Sequence, residues 1–89
     1  MKSRTTEKFR SLLAAAPAER QAKIRGEYRL WRENPAHPSL RFKKVHPRLP
    51  TYSVRVDLNW RAVGVLQDET LLWFWVGPHG EYEALLKAL

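Results

Sequence analysis

Apolar positions in the first third of the chain recur at helical spacing. Phe9, Leu12, Leu13 and Ala16 form one stripe, with Thr5 or Thr6 placed to cap it. Pro17 interrupts the stripe, and its fixed φ suits the first turn of a second helix with Glu19 near the N-terminus. Ile24, Tyr28 and Trp31 follow at i, i+4 and i+7. On the outer face, Glu19 with Lys23, Lys23 with Glu27, and Arg29 with Glu33 can pair. Asn34-Pro35 stops the helix, because a residue before proline is pushed out of the α region. The spacing therefore predicts two helices joined at Pro17, a helical hairpin.

After residues 34–40 (NPAHPSL), a loop, the period changes from 3.6 to 2. Leu40 to Val45 can form a short strand, and 46–50 (HPRLP) a turn. Tyr52, Val54 and Val56 share one face of a second strand, with Ser53 and Arg55 on the other. Asp57-Leu58-Asn59 reads as a hairpin turn, Trp60 to Leu66 as a strand and Gln67-Asp68-Glu69 as a turn. Leu71 to Val76 is apolar on both faces, which predicts the central, most buried strand, ended by Gly77-Pro78. Residues 80–88 read as a short helix burying Tyr82, Leu85 and Leu86. The predicted fold class is α+β. A helical hairpin packs on one face of a small twisted antiparallel sheet, and a short helix closes the chain. The other sheet face is left free for function.

At 89 residues the chain is one domain, residues 1–89, with a modest core. With no Cys, disulfides, thiolate metal sites and Cys nucleophiles are excluded. The longest apolar run is too short to span a bilayer, and MKSRTTEKFR has no apolar stretch behind its basic residues. A cytoplasmic protein without membrane contact is expected.

Charge is uneven. Residues 1–50 hold 13 Lys/Arg against 4 acids, and residues 51–89 hold 3 against 5, within a net of +7. Such a bias points to a polyanionic partner, nucleic acid or acidic protein. Arg41, Lys43, Lys44, Arg48, Arg55 and Arg61 fall within 21 residues, with Asp57 the one acid among them. If Val54 and Val56 face the helices, Arg55 faces the free side, and Arg41 and Lys43 share a face opposite Phe42 and Lys44. A cation patch across three strands suits phosphates, although a solvated sheet face would look alike.

His37 and His46 sit beside prolines in loops and read as surface residues. His79 follows the most buried strand, where a side chain emerges at the sheet edge and can act as general acid or base. No histidine has metal-ligand spacing, so no metal or cofactor is expected. Tyr28, Trp31, Trp60, Trp73 and Trp75 read mainly as core, but one Trp of the 71–76 strand must cover the free face. No Gly-rich phosphate loop, Ser-His-Asp order or paired-carboxylate signature is present.

The segments NPAHPSLRFKKV, YSVRVDLNWRAVGV and WFWVGPHGEYEALL resemble the RelE/ParE superfamily of type II toxin–antitoxin toxins over residues 9–89. The closing W-x-W-[VI]-G-x-H-x-E-Y is the most specific part, together with YSVRV…WRAVGV. The resemblance implies a toxin neutralised by an acidic antitoxin. One branch cleaves mRNA, on the ribosome in many members, without metal. Another poisons DNA gyrase, and a non-toxic relative would only bind its partner. By position, the resemblance implies that Arg61 contacts the scissile phosphate, Arg55 joins the same cluster and His79 acts as acid or base. Lys43 or Lys44 would add phosphate contacts. Ser53 stands where the nuclease pattern has a second lysine, and Leu85 where it has a tyrosine, with Tyr82 three residues away. Most members begin with a strand. Residues 1–8 are too polar for a buried one, which predicts a sheet lacking one edge.

Overall fold

The computed structural model describes residues 1–89. It builds β1 (Lys2–Thr5), α1 (Glu7–Ala15), α2 (Ala18–Glu33), a 3-10 turn at Pro38–Leu40 and β2 (Lys43–Lys44). There follow β3 (Thr51–Arg55), β4 (Trp60–Gln67), β5 (Thr70–Pro78) and α3 (His79–Ala88). Of the two candidate caps it is Thr6 whose Oγ1 accepts the Phe9 N–H, at 3.1 Å. Of the three outer-face pairs on α2, Lys23 and Glu27 meet at 2.8 Å, while Glu19 with Lys23 and Arg29 with Glu33 do not. No helix is long and apolar enough to cross a membrane.

The sheet order is β1-β5-β4-β3-β2. Four expectations are corrected here. The sheet has its first strand: β1 runs parallel to β5, with Ser3 opposite Leu71 and Thr5 opposite Trp73, so the sheet is mixed. Polarity does not prevent this, because ladder hydrogen bonds are made by backbone and β1 is an edge. Its half-buried Ser3 satisfies its hydroxyl against Tyr28 Oη at 2.7 Å. The middle strand is β4, and β5 lies between it and β1. The strand read from Leu40 to Val45 contracts to Lys43–Lys44, because Arg41 turns left-handed (φ 46°) after the 3-10 turn. The Gly77-Pro78 step does not end β5, which continues through Pro78.

Phe9, Ala16, Ile24 and Trp31 from α1 and α2 pack with Val54, Val56, Ala62, Leu71, Trp73 and Val76 of the sheet. Trp31 is fully buried, edge-on to Trp73 at 5.2 Å and to Phe42 at 5.6 Å. A bulge between Val63 and Gly64 shifts the phase of β5, so Leu71, Trp73 and Val76 all enter this core. Alternation along β3 sends Ser53 to the opposite face, and there Tyr82 of α3 donates its hydroxyl to Ser53 Oγ at 3.2 Å. The final helix therefore lies on the face opposite the hairpin. It covers part of the surface expected to be free. Tyr82 is its buried residue; Leu85 and Leu86 are only half-buried.

Candidate active site and phosphate-binding face

Strand register places the cations. Lys43 stands opposite Ser53 on β3, and Arg55 stands opposite Arg61 on β4. Cross-strand partners share a face, so Lys43, Arg55 and Arg61 lie on the second face of the sheet. Arg61 in turn pairs with Gly77 of β5, one residue before Pro78 and the start of α3. Lys44 does not join them: it is opposite Tyr52, whose ring stacks on Phe42 at 5.2 Å on the hairpin side. Arg48 is exposed in the 46–50 loop, away from the strand register. Arg41 flanks the cluster and lies within electrostatic reach of Arg61.

Arg61 is the centre of this group. Burial, followed by the neighbouring Arg55 and then Arg41, holds its guanidinium below the ordinary arginine value, against opposing contributions from Tyr82 and Asp57. Its Nη1 donates to the carbonyls of Asp57 at 2.8 Å and Trp60 at 3.0 Å. The group is thereby fixed in place, with no acidic side chain in ion-pair contact. A half-buried arginine crowded by two others is a candidate site for an anionic group such as a phosphate.

The scaffold behind it is the β3–β4 turn. Asp57 Oδ1 accepts the N–H groups of Asn59 at 2.8 Å and Trp60 at 3.0 Å. Its Oδ2 pairs with Arg20 of α2, whose guanidinium also lies 5.4 Å from the Trp60 ring centre. Burial raises the Asp57 pKa, but the Asn59 N–H, Arg20 and the Trp60 N–H outweigh it and leave the carboxyl below its ordinary value. The Arg20 contribution escaped sequence reading, since 37 residues separate the partners; the Asp-x-Asn-Trp turn itself was legible.

His79 opens α3. Its N–H donates to the Asn59 carbonyl at 2.7 Å, which ties the helix start to the same turn. Its ring stands 5.7 Å from Tyr82, and its Nδ1 faces Glu83 at 3.6 Å. Trp75 covers the second face, 6.5 Å from Tyr82. Arg55, Arg61, Tyr82 and His79 thus form one continuous neighbourhood. His37 and His46 have other tasks: Nδ1 of His37 accepts the Ser39 N–H, and Nδ1 of His46 accepts those of Arg48 and Leu49. Both ring nitrogens serve to shape their own loops.

The sequence profile of the ParE-like toxin domain matches residues 19–84. The chain belongs to this family. No curated protein matches this toxin domain in sequence. Among solved structures it is similar to YafQ from E. coli, at 14% identity and a TM-score of 0.73, covering 91% of this chain and 96% of that one. It is also similar to the toxin fold in the RelB–RelE antitoxin–toxin complex of Methanococcus jannaschii, at 15% identity and 0.71, over 91% and 95% of the two chains. The RelBE2 toxin–antitoxin complex of Mycobacterium tuberculosis follows at 20% identity and 0.66, over 88% and 96%. At these identities the likeness is one of fold. The toxin domain thus has the RelE-like architecture, with its cations on the sheet face across from the hairpin.

Proposed function

We propose that this ParE-like toxin domain is the toxin of a toxin–antitoxin pair and cleaves mRNA without a metal ion. The observation that carries the reading is the meeting of Arg55, Arg61 and His79 on one sheet face beside α3. In the reaction, the ribose O2′ attacks the adjacent phosphorus and the P–O5′ bond breaks. This leaves a 2′,3′-cyclic phosphate and a 5′-hydroxyl. His79 moves the proton, from O2′ as base or to O5′ as acid. Arg61 and Arg55 neutralise the charge that develops on the phosphoryl oxygens, and Lys43 and Arg41 hold the flanking phosphates. An acidic antitoxin would mask the same face, matching its charge and covering the half-buried apolar groups around α3. The structures of relatives captured as antitoxin–toxin complexes support that partner.

A specific observation favours a second reading, a ParE-like inhibitor of DNA gyrase with no nuclease activity. Arg61 already spends Nη1 on backbone carbonyls, and the tyrosine nearest the cluster is buried with its hydroxyl turned to Ser53. Induction of the chain in a bacterial host, with growth and RNA 5′ ends followed together, separates the two. Growth arrest with new 5′ ends that vanish in His79→Ala supports cleavage. Arrest with intact mRNA and DNA damage supports the gyrase reading and sinks the nuclease.

A further inference from the structure

The β3–β4 turn, residues 57–60, meets both Arg61 and His79 through its backbone carbonyls. Those of Asp57 and Trp60 accept from Nη1 of Arg61, at 2.8 and 3.0 Å. That of Asn59 accepts the His79 N–H at 2.7 Å. One short segment therefore sets both where the guanidinium lies and where α3 begins. A change in the shape of the turn would move the two groups relative to each other.

That shape rests on polar contacts. Leu58 at the tip is 71% exposed and Asn59 is exposed, so no apolar packing fixes the tip. The Asp57 carboxylate does so instead. Its Oδ1 accepts the N–H groups of Asn59 and Trp60, which closes the turn on itself. Its Oδ2 pairs with Arg20, in the first turn of α2 and 37 residues away in sequence. The two side chains are only 26% and 27% exposed, so salt screens this pair less than a surface one. The Arg20 guanidinium also lies over the Trp60 ring, a second hold on the same turn. The chain of contacts runs from the hairpin, through one carboxylate, to the carbonyls that meet Arg61 and His79.

We infer that Arg20 and Asp57 are positioning residues, which hold Arg61 and His79 in their mutual geometry without touching the substrate. A displacement of about 1 Å at a reacting group can lower a rate about 100-fold. A turn without apolar support at its tip would allow such a displacement once the carboxylate is released from the hairpin. The effect on rate rests on the mRNA-cleavage reading; the placement of the two side chains does not.

The test follows cleavage of a defined RNA by the purified full chain, with and without ribosomes. Beside it, inorganic phosphate is titrated against the side-chain NMR signals of Arg61 and His79. The unaltered chain is compared with Arg20→Gln, Asp57→Asn and the double variant, at a temperature where all are folded. Gln cannot form the ion pair, and Asn keeps an oxygen for the two turn N–H groups while losing the charge that faces Arg20. Each single variant is expected to lower kcat about 10- to 100-fold with KM changed less than about twofold. The double variant is expected to fall no further than the weaker single one, since both cut the same tie. Leu71→Val, in the core beside Leu66 at the other end of β4 and β5, lowers stability without touching the turn and is expected to keep kcat.

Full kcat in folded Arg20→Gln and Asp57→Asn overturns the inference. So does a raised KM at unchanged kcat, which would put the pair in substrate binding, and so does an equal loss in Leu71→Val, which would make the effect one of stability. If Asp57→Asn does not fold, Arg20→Gln carries the test, because it leaves the Oδ1 bonds of the turn in place. If the unaltered chain cleaves no RNA, the nuclease reading fails and the phosphate titration decides. Shifted Arg61 and His79 signals with weakened phosphate binding in Arg20→Gln support the positioning role; unchanged signals and binding overturn it.

Discussion

The indole of Trp75 occupies the space that a side chain at Gly77 would fill: a Cβ there would lie 2.7 Å from the ring. Glycine at this position lets the ring lie against the second face beside Tyr82. Gly77→Ala must displace Trp75, with a loss of about 1–3 kcal/mol typical of overpacking. Urea denaturation followed by tryptophan fluorescence reads both the lost stability and the moved indole; an unchanged midpoint would show that the ring yields freely.

Tyr82 holds α3 to the sheet through its ring and its hydroxyl. Tyr82→Phe removes the hydroxyl from Ser53, itself 2% exposed, and is expected to lose about 1 kcal/mol. Tyr82→Ala also removes the ring and is expected to lose about 3–5 kcal/mol. Equal losses in the two variants, measured by chemical denaturation, would show that the hydroxyl alone secures the helix.

Asp57 makes part of the stability depend on pH. Its pKa is below the ordinary 3.8 in the folded chain, so it binds protons less readily there than when unfolded. Its contribution is complete above that ordinary value and fades as pH falls through the lowered one. Asp57→Asn is therefore expected to lose stability at neutral pH and to decline less steeply below about pH 4. Thermal melts from neutral to acid pH check this; parallel curves for the two proteins would assign the acid limb to other carboxyls.

Arg55 and Arg61 are directly opposed on β3 and β4, a like-charge pair that disfavours the sheet. Arg55→Thr is expected to leave stability unchanged or raise it by about 0.2–1 kcal/mol, while growth inhibition falls. A calorimetric melt set beside a colony-count assay measures both. Destabilisation with full toxicity would mean that the arginine serves the fold and not the phosphate.

Much of this architecture was legible because burial wrote it into the residues. The stripes on α1 and α2, the alternation on β3 and the turn at Asp57 each state which side faces the core. β1 was hidden for the opposite reason: its inward residues are Ser3 and Thr5, and its pairing is made by backbone that any sequence supplies. The rank of β5 follows from the same hidden strand, since a strand apolar on both faces need only be interior, not central. In the site, alternation put Arg55, Arg61 and Lys43 together and set Lys44 apart. The location of α3 was not legible, because a single tyrosine decides which face the last helix covers. Nor was the Arg20–Asp57 tie, which depends on how the hairpin meets the turn.

The parallel pairing of β1 with β5 sets a schedule for synthesis. Residues 2–5 wait for residues 70–73 before they have a strand to join. At about 5–20 residues per second, the ribosome takes roughly 3–14 s to deliver that partner. Throughout that interval the sheet lacks its first edge, and Arg61 and Gly77 are not yet neighbours. The strands that carry Lys43, Arg55 and Arg61 are made first, and the border of their face at Gly77 and α3 is added last.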